Sequence, residues 1–379
     1  MTHRYLPFNR PYVTGREFEY MQRAIENLHL SGDGPFTRQC QGWLEARLGS
    51  RRALLTHSCT AALEMAALLA ELQPEDEVVM PSFTFVSTAN AFAMRGARPV
   101  FVDVRPDTLN VDETALEAAI TEKTRALVAV HYAGVACDMD AIEKIATARG
   151  LIVVEDAAQA LGSTYKGRPL GSFGQIAAIS FHETKNVIAG EGGALLVNDE
   201  RFVARAEVIR EKGTDRSRFL RGQVDKYTWV DLGSSYLPSE LTAAFLHAQM
   251  QQADLITERR LEVWGWYYER FADLERHGCA RRPIVPSDCQ HNAHMFYLLL
   301  ADLATRTRVL AYLNENGVNA VFHYVPLHSS AAGRRFGRVS GALPHTDAAA
   351  DRLVRLPLWV GMSQDDVDWV VELVWRALR

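Results

Sequence analysis

The 379-residue chain has no stretch approaching about 18 uninterrupted apolar residues, so it offers no membrane-spanning helix. Its five cysteines, Cys40, Cys59, Cys137, Cys279 and Cys289, are odd in number and scattered. They spell out neither a zinc module nor a disulfide framework, and reduced thiols in a cytosolic protein are expected. Charge of one sign is also scarce: the net charge is -5 and the pI near 6.2, so bulk electrostatics favour neither a nucleic-acid nor a membrane partner. Glycine and proline are spread thinly, leaving no flexible linker, and neither repeats nor low-complexity tracts occur. The GxxxxGK[ST] phosphate loop is missing. Residues Met1 to Pro11 carry polar and basic side chains and no apolar core of a signal peptide, so a soluble, cytoplasmic protein is expected.

What is present is an alternation of short apolar runs with helix-like segments between about Arg51 and Val197. The runs are Ala53–Leu55, Glu77–Met80, Pro99–Val104, Thr124–His131, Leu151–Asp156, Ala177–Phe181 and Gly193–Val197. Val- and Ile-rich strands separated by helices predict an α/β fold with a mainly parallel sheet covered on both faces. Thr242 to Phe271 reads as a long helical stretch containing a domain boundary. Beyond it, Met295–Leu300 and Asn319–His323 predict strands, and Thr305–Asn316 and Asp365–Leu378 predict helices. A large domain over residues 1–250 and a smaller α/β domain over 251–379 follow. In open α/β sheets the ligand crevice lies beyond the carboxyl ends of the strands, where Ser58-Cys59-Thr60, Pro81-Ser82, Asp103, His131 and Asp156 would converge.

Two of these residues carry chemistry as a pair. Asp156 closes a four-residue apolar run, and a buried carboxylate there needs a positive or hydrogen-bonding partner. Lys185 lies one strand-connection-strand unit downstream, in Ser180-Phe181-His182-Glu183-Thr184-Lys185, ahead of the turn Gly190-Glu191-Gly192-Gly193. That turn is no dinucleotide fingerprint, because it precedes a strand instead of opening a helix after one. A pyridoxal phosphate (PLP) enzyme needs a lysine to hold the cofactor aldehyde and a carboxylate to keep the pyridine nitrogen protonated; Lys185 and Asp156 are of those types. Taken singly, Asp156 is equally an N-cap for a helix from Ala157, and Lys185 a loop lysine.

Ser58-Cys59-Thr60-Ala61 passes from strand into helix, and free N–H groups at such a helix start suit a phosphate. Ordinary capping by Ser58 or Thr60 is the alternative. Phe85 is placed either to stack on a pyridine ring or to join the core. Cys289, His291 and His294 form an incomplete metal-like cluster, while His323 and His328 either face the cleft or hydrogen-bond structurally. Six basic residues, Arg210, Lys212, Arg216, Arg218, Arg221 and Lys226, either meet a diphosphate or form a solvated loop.

From Pro7-Phe8-Asn9, through Glu155-Asp156-Ala157-Ala158-Gln159 and the Lys185 segment, to His323-Tyr324-Val325-Pro326-Leu327-His328, the chain resembles the DegT-type PLP-dependent nucleotide-sugar aminotransferases. Within that family, Val130-His131-Tyr132-Ala133-Gly134 and Arg221-Gly222-Gln223-Val224-Asp225-Lys226 are most similar to the subgroup that makes dTDP-4-amino-4,6-dideoxygalactose. The resemblance implies an aspartate-aminotransferase-type fold (fold type I) and a homodimer with active sites at the interface. It also implies L-glutamate as amino donor and a nucleotide-sugar substrate, dTDP-4-dehydro-6-deoxy-D-glucose. It further implies that Lys185 anchors the cofactor, Asp156 partners its ring nitrogen and Gln159 touches the ring. Phe85 would stack, and Thr60, Ala61 and Ser180 would hold the phosphate. Many relatives supply a partner-subunit asparagine from a Gly-Tyr-Asn-Tyr segment; here Gly233-Ser234-Ser235-Tyr236 offers Ser235 in its stead. A sugar dehydratase, whose close relatives carry histidine at the position of Lys185, and a non-catalytic sugar-nucleotide sensor are the competing readings. Amination at C3 or a gluco product is the nearer alternative.

Overall fold

A computed structural model describes residues 4–379. Met1, Thr2 and His3, with which both the expected leaderless segment and the expected 1–250 domain begin, lie outside the described residues. All seven apolar runs between Arg51 and Val197 form strands: β1 (Arg52–Thr56), β2 (Glu77–Pro81), β3 (Arg98–Val102), β4 (Thr124–Val130), β5 (Ile152–Asp156), β6 (Ile176–Ser180) and β7 (Gly193–Val197). Further on come β8 (Phe296–Leu299), β9 (Arg338–Val339) and β10 (Leu353–Leu356).

The main sheet has eight strands in the order β1-β7-β6-β5-β4-β2-β3-β9. Strands β9, β3, β2, β4, β5 and β6 run parallel to one another, and β7 is antiparallel to both β6 and β1. The period of two in each strand divides the core into two layers. Leu55, Val79, Leu127, Val153 and Ile179 join one apolar cluster, whereas Leu54, Val78, Val128, Val154 and Ala178 join the other. Both faces are therefore covered, as the near-continuous apolar strands require. This is the expected α/β, fold type I arrangement with a large, mixed and mostly parallel sheet.

Helix α1 (Cys59–Leu69) follows β1, and α2 (Val86–Ala93) follows β2. Ser58 is the N-cap of α1, its Oγ accepting the Ala61 N–H at 3.0 Å. The expected long helix over Thr242–Phe271 is instead two helices, α3 (Glu240–Gln251) and α4 (Ala253–Arg270), because Gln252 leaves helical geometry at φ -113° and ψ 13°. A third apolar cluster packs α4, β8, β10, α5 (Leu303–Glu315) and α6 (Gln364–Leu378) through Tyr267, Phe296, Val354, Leu313 and Val370. Leu6 belongs to it as well and bridges to Val318.

Asn319–His323, expected as a strand, is irregular. The segment changes partners within three residues: the Asn319 N–H donates to Leu6 at 3.0 Å, and the Val321 N–H to Arg355 at 3.1 Å. A ladder needs consecutive residues on the same neighbour, and here only the single Val321–Arg355 bridge forms. Among the described residues, no helix is long and apolar enough to cross a membrane.

Candidate active site

A cavity of about 440 Å³ opens beyond the carboxyl ends of β5 and β6, against the start of α1. Lys185, Asp156, Thr60, Phe85, Gln159 and Ser180 all line it.

Asp156 ends β5, and the helix expected from Ala157 does not form; residues 157–160 make a turn. Asp156 therefore acts within the turn, its Oδ1 accepting the Ala158 N–H at 3.2 Å. Its Oδ2 accepts the Thr88 hydroxyl at 2.7 Å, and Thr84 stands behind Thr88 at 2.9 Å. The preceding residue, Glu155, points to the opposite face of the sheet. It accepts the N–H groups of Gly171, Phe173 and Gly174 at 2.7–2.8 Å and lies 2.9 Å from His131 Nε2. The Cys137 N–H donates to His131 Nδ1, which leaves the proton on Nε2 to be donated to Glu155. Two carboxylates adjacent in sequence thus do different work: Glu155 ties a loop to the sheet, and Asp156 faces the cavity.

Lys185 lies between β6 and β7, its N–H donating to His182 O at 2.9 Å. Burial holds its amine below the usual lysine range, opposed by Cys59 and Asp156 and reinforced by the charge of Arg355. Burial, followed by the negative charge of Asp156, pushes the Cys59 thiol well above its ordinary value. The same burial thus favours the protonated thiol of Cys59 and the free amine of Lys185.

At the start of α1 the first N–H groups have no intrahelical acceptor, and Cys59 and Thr60 line the cavity. The Thr60 hydroxyl meets Ser87 Oγ at 2.8 Å. Gly193 opens β7 against this helix start; a Cβ on it would lie 2.4 Å from Cys59 N and from Ser58 C. The backbone is thereby held close enough for open N–H donors to line an anion cradle. The Ala61 N–H is already taken by Ser58, and Ala61 lies just behind the lining. Donors at the helix start, a carboxylate, and a buried amine in one cavity match the phosphate, ring nitrogen and aldehyde of PLP.

Gln159 is fixed at both ends of its amide: Oε1 accepts the Ala133 N–H at 2.7 Å, and Nε2 donates to Tyr324 Oη at 3.1 Å. Phe85, the N-cap of α2, is 56 % exposed, with its ring 6.4 Å from that of Tyr324. It is therefore not a core residue. Ser235 is exposed, bridges to Glu211, and is not part of the cavity wall of its own chain.

The incomplete metal-like cluster is dispersed. Cys289 sits in a short strand pair with Tyr165, His291 packs 4.4 Å from the Trp264 ring, and only His294 reaches the cavity, with Nδ1 3.2 Å from Asn186 Oδ1. His323 lines the cavity and meets Tyr132 Oη at 3.0 Å, while His328 meets Ser82 Oγ at 2.8 Å. Of the six basic residues, three are engaged within the chain: Arg210 with Asp33, Arg216 with Glu211, and Arg221 with Glu207. None of the six lines the cavity.

Sequence reasoning missed Thr84, Ser87, Tyr324 and Arg355 in the cavity wall, and Thr88 behind Asp156. Arg355 had a readable signal, a single charge inside Leu353-Val354-Arg355-Leu356. The others came to the site only by folding.

Residues 11–375 match the DegT/DnrJ/EryC1/StrS aminotransferase family. The chain is 34 % identical to the spore coat polysaccharide biosynthesis protein SpsC of Bacillus subtilis, over 98 % of this chain and 96 % of that protein. It is 31 % identical to GDP-perosamine synthase of Caulobacter vibrioides, over 97 % of each. Among solved structures, DesI in the presence of its TDP-sugar product superposes with a TM-score of 0.90 at 31 % identity, covering 100 % of this chain and 94 % of that one. The chain belongs to the DegT/DnrJ/EryC1/StrS aminotransferase family, a family of PLP-dependent sugar aminotransferases.

Proposed function

We propose that the protein transfers the amino group of L-glutamate to C4 of dTDP-4-dehydro-6-deoxy-D-glucose, giving dTDP-4-amino-4,6-dideoxy-D-galactose and 2-oxoglutarate. The observation that carries the amination chemistry is the meeting of Lys185 and Asp156 in one cavity with the open start of α1. The sugar and nucleotide rest on the segments that resemble the 4-amino-4,6-dideoxygalactose subgroup. They are also supported by DesI having been solved with a TDP-sugar product.

In this reading Thr60, Ala61 and Ser180 hold the cofactor phosphate, with Ala61 serving to shape the helix start. Asp156 partners the ring nitrogen, Gln159 borders the ring, Phe85 covers one face, and Ser235 is contributed by a second copy. Bound there, PLP supplies an aldehyde that carries the amino group and a protonated ring that draws electrons from the reacting carbon. Lys185 takes the proton from the α-carbon of glutamate and later delivers one to the sugar C4. Because burial lowers its pKa, more of the lysine is free amine near neutral pH than in an ordinary surface lysine. Thr88 keeps Asp156 oriented and acceptor-only while the positive ring nitrogen is present.

A homodimer is part of the same proposal. It is supported by apolar side chains left in solvent, Phe18, Leu28 and Trp229 being 78 %, 91 % and 74 % exposed. Sedimentation at micromolar protein should give the mass of a dimer.

The deciding assay incubates holoenzyme with glutamate and dTDP-4-dehydro-6-deoxy-D-glucose and reads the product by NMR. A 4-amino galacto product is expected. A 3-amino or gluco product would reject the assigned substrate outcome while leaving an aminotransferase; loss of a hydroxyl without amination would point to a dehydratase, and no glutamate-dependent change in cofactor absorbance to a sensor.

A further inference from the structure

Arg355 is the third residue of β10, flanked by Val354 and Leu356, which are 0 % and 1 % exposed. Its backbone is pinned, the N–H donating to Val321 O at 2.7 Å, and its guanidinium stacks 4.7 Å from the Phe8 ring centroid. The side chain reaches the wall of the cavity that also holds Lys185.

Among the described residues, no carboxylate pairs with this guanidinium and no acceptor takes a hydrogen bond from it; its Nε is fully buried without a partner. Other arginines differ. Arg210 pairs with Asp33, Arg338 grips Glu77 through two hydrogen bonds, and Arg260 donates to the carbonyls of Ala293 and His294. A half-buried guanidinium whose Nε is shut away from water without a partner is costly to leave without a counter-charge, and one that lines a cavity is matched to an anion that enters there. The two histidines on the same wall are held neutral and add no charge there. Burial first, then the positive charges of Lys185 and Arg355, hold His294 well below the usual histidine range, and burial with Arg355 does the same to His323.

We propose that Arg355 anchors the α-carboxylate of the amino donor and so selects an α-amino acid over a simple amine. The proposal rests on the transamination reading above. A planar guanidinium suits a carboxylate through two parallel hydrogen bonds. The choice between the two anionic substrates follows from their covalent structure. In an amino acid the carboxylate is bonded to the same carbon whose proton Lys185 removes, so its anchor must lie near Lys185. In a nucleotide sugar the diphosphate is attached at the anomeric carbon, remote across the ring from C4. Arg355 stands close enough to Lys185 for its charge to lower the lysine pKa. Arg355 and Lys185 line the same cavity wall, which is where an anchor for the donor carboxylate has to stand.

The test compares wild-type holoenzyme with Arg355→Gln and Arg355→Lys. Calorimetry measures binding of 2-oxoglutarate and of dTDP to the aminated holoenzyme, and kinetics give KM for glutamate and for the sugar nucleotide. In Arg355→Gln, 2-oxoglutarate affinity should fall and glutamate KM rise by roughly 10- to 100-fold, the range for hydrogen bonds to charged groups. Arg355→Lys should recover part of the loss, and dTDP affinity and cofactor absorbance should stay as in wild type. The wild-type preference for glutamate over 4-aminobutyrate, which lacks only the α-carboxylate, should shrink in Arg355→Gln. Unchanged glutamate and 2-oxoglutarate affinities in a wild type that uses glutamate would overturn this inference alone. A loss confined to dTDP and the sugar nucleotide would overturn it in favour of a phosphate anchor. A wild type that accepts no amino-acid donor overturns both this inference and the proposed function.

Discussion

The hydroxyl of Thr88 donates to Asp156 Oδ2 at 2.7 Å across 68 residues of sequence, with both side chains buried. Thr84, 2.9 Å from the Thr88 oxygen, must then be the donor in that second bond, so a short chain of hydroxyls ends on the carboxylate. A carboxylate held this way stays ionised and aimed, which is what a protonated ring nitrogen requires of its partner.

Thr88→Val keeps the shape and removes that donor. Cofactor affinity should fall roughly tenfold, within the range for hydrogen bonds to charged groups, while Thr88→Ser stays near wild type. Absorbance titration of the apo protein with PLP checks both. Equal affinities in Thr88→Val and wild type would show that Asp156 needs no such support.

Lys185→Ala should abolish turnover and leave weak, non-covalent cofactor binding. Borohydride should fix the cofactor to wild type and not to the variant, as read by mass spectrometry. The pH profile offers a separate check. Burial disfavours the charged amine, so kcat should rise with pH and level off below the ordinary lysine value of about 10.4. A rise continuing to that value would contradict a buried, deprotonated base.

Glu155→Gln tests whether the residue beside Asp156 is structural. The carboxylate oxygens receive four donors, three backbone N–H groups and the His131 ring, and an amide would turn its own NH₂ toward some of them. A loss of about 2–3 kcal/mol in urea unfolding is expected, as for leaving buried donors of a charged acceptor unpaired. A loss under about 0.5 kcal/mol, the size of an ordinary surface substitution, would refute the assignment.

Glu77 gives a pH-dependent term in stability. The Arg338 guanidinium, bound at 2.6 and 2.7 Å, holds its carboxyl below the usual range despite burial, with Thr121 assisting. A lowered folded-state pKa means that this stabilisation is present above the unfolded value, near 4.5, and is lost as pH falls through the lower folded one. Arg338→Ala should therefore cost about 1–3 kcal/mol near neutral pH and progressively less at about pH 3, measured by denaturant melts at both. A cost that does not shrink in acid would mean that Arg338 acts through packing.

Seven of the eight strands of the main sheet were legible because each is a short apolar run, and apolar patterning is a local property; the two-residue β9 was not. Lys185 and Asp156 were legible as a pair because the strand-connection-strand spacing places them at one sheet edge. The smaller unit was read less well: Asn319–His323 looks like a strand, but its neighbours Leu6 and Arg355 divide its hydrogen bonds. Gln252, which splits the long helix, has no helix-breaking side chain; the residues on either side of it run into two different apolar clusters, through Met250 and Ala253 in one and Val263 and Tyr267 in the other.

The sequence alone determined the alternation of elements, the two-layer core and the lysine-carboxylate pair, since these depend on residue type and short-range spacing. Only the tertiary structure decided what surrounds that pair. Thr88 reaches Asp156 because folding brings the first turn of α2 within a hydrogen bond of the end of β5, and Arg355 is held in β10, which pairs with β8 and bridges to Val321. Whether a buried arginine has a counter-charge, or a threonine hydroxyl an acceptor, depends on groups far away in the chain, and no local pattern encodes it.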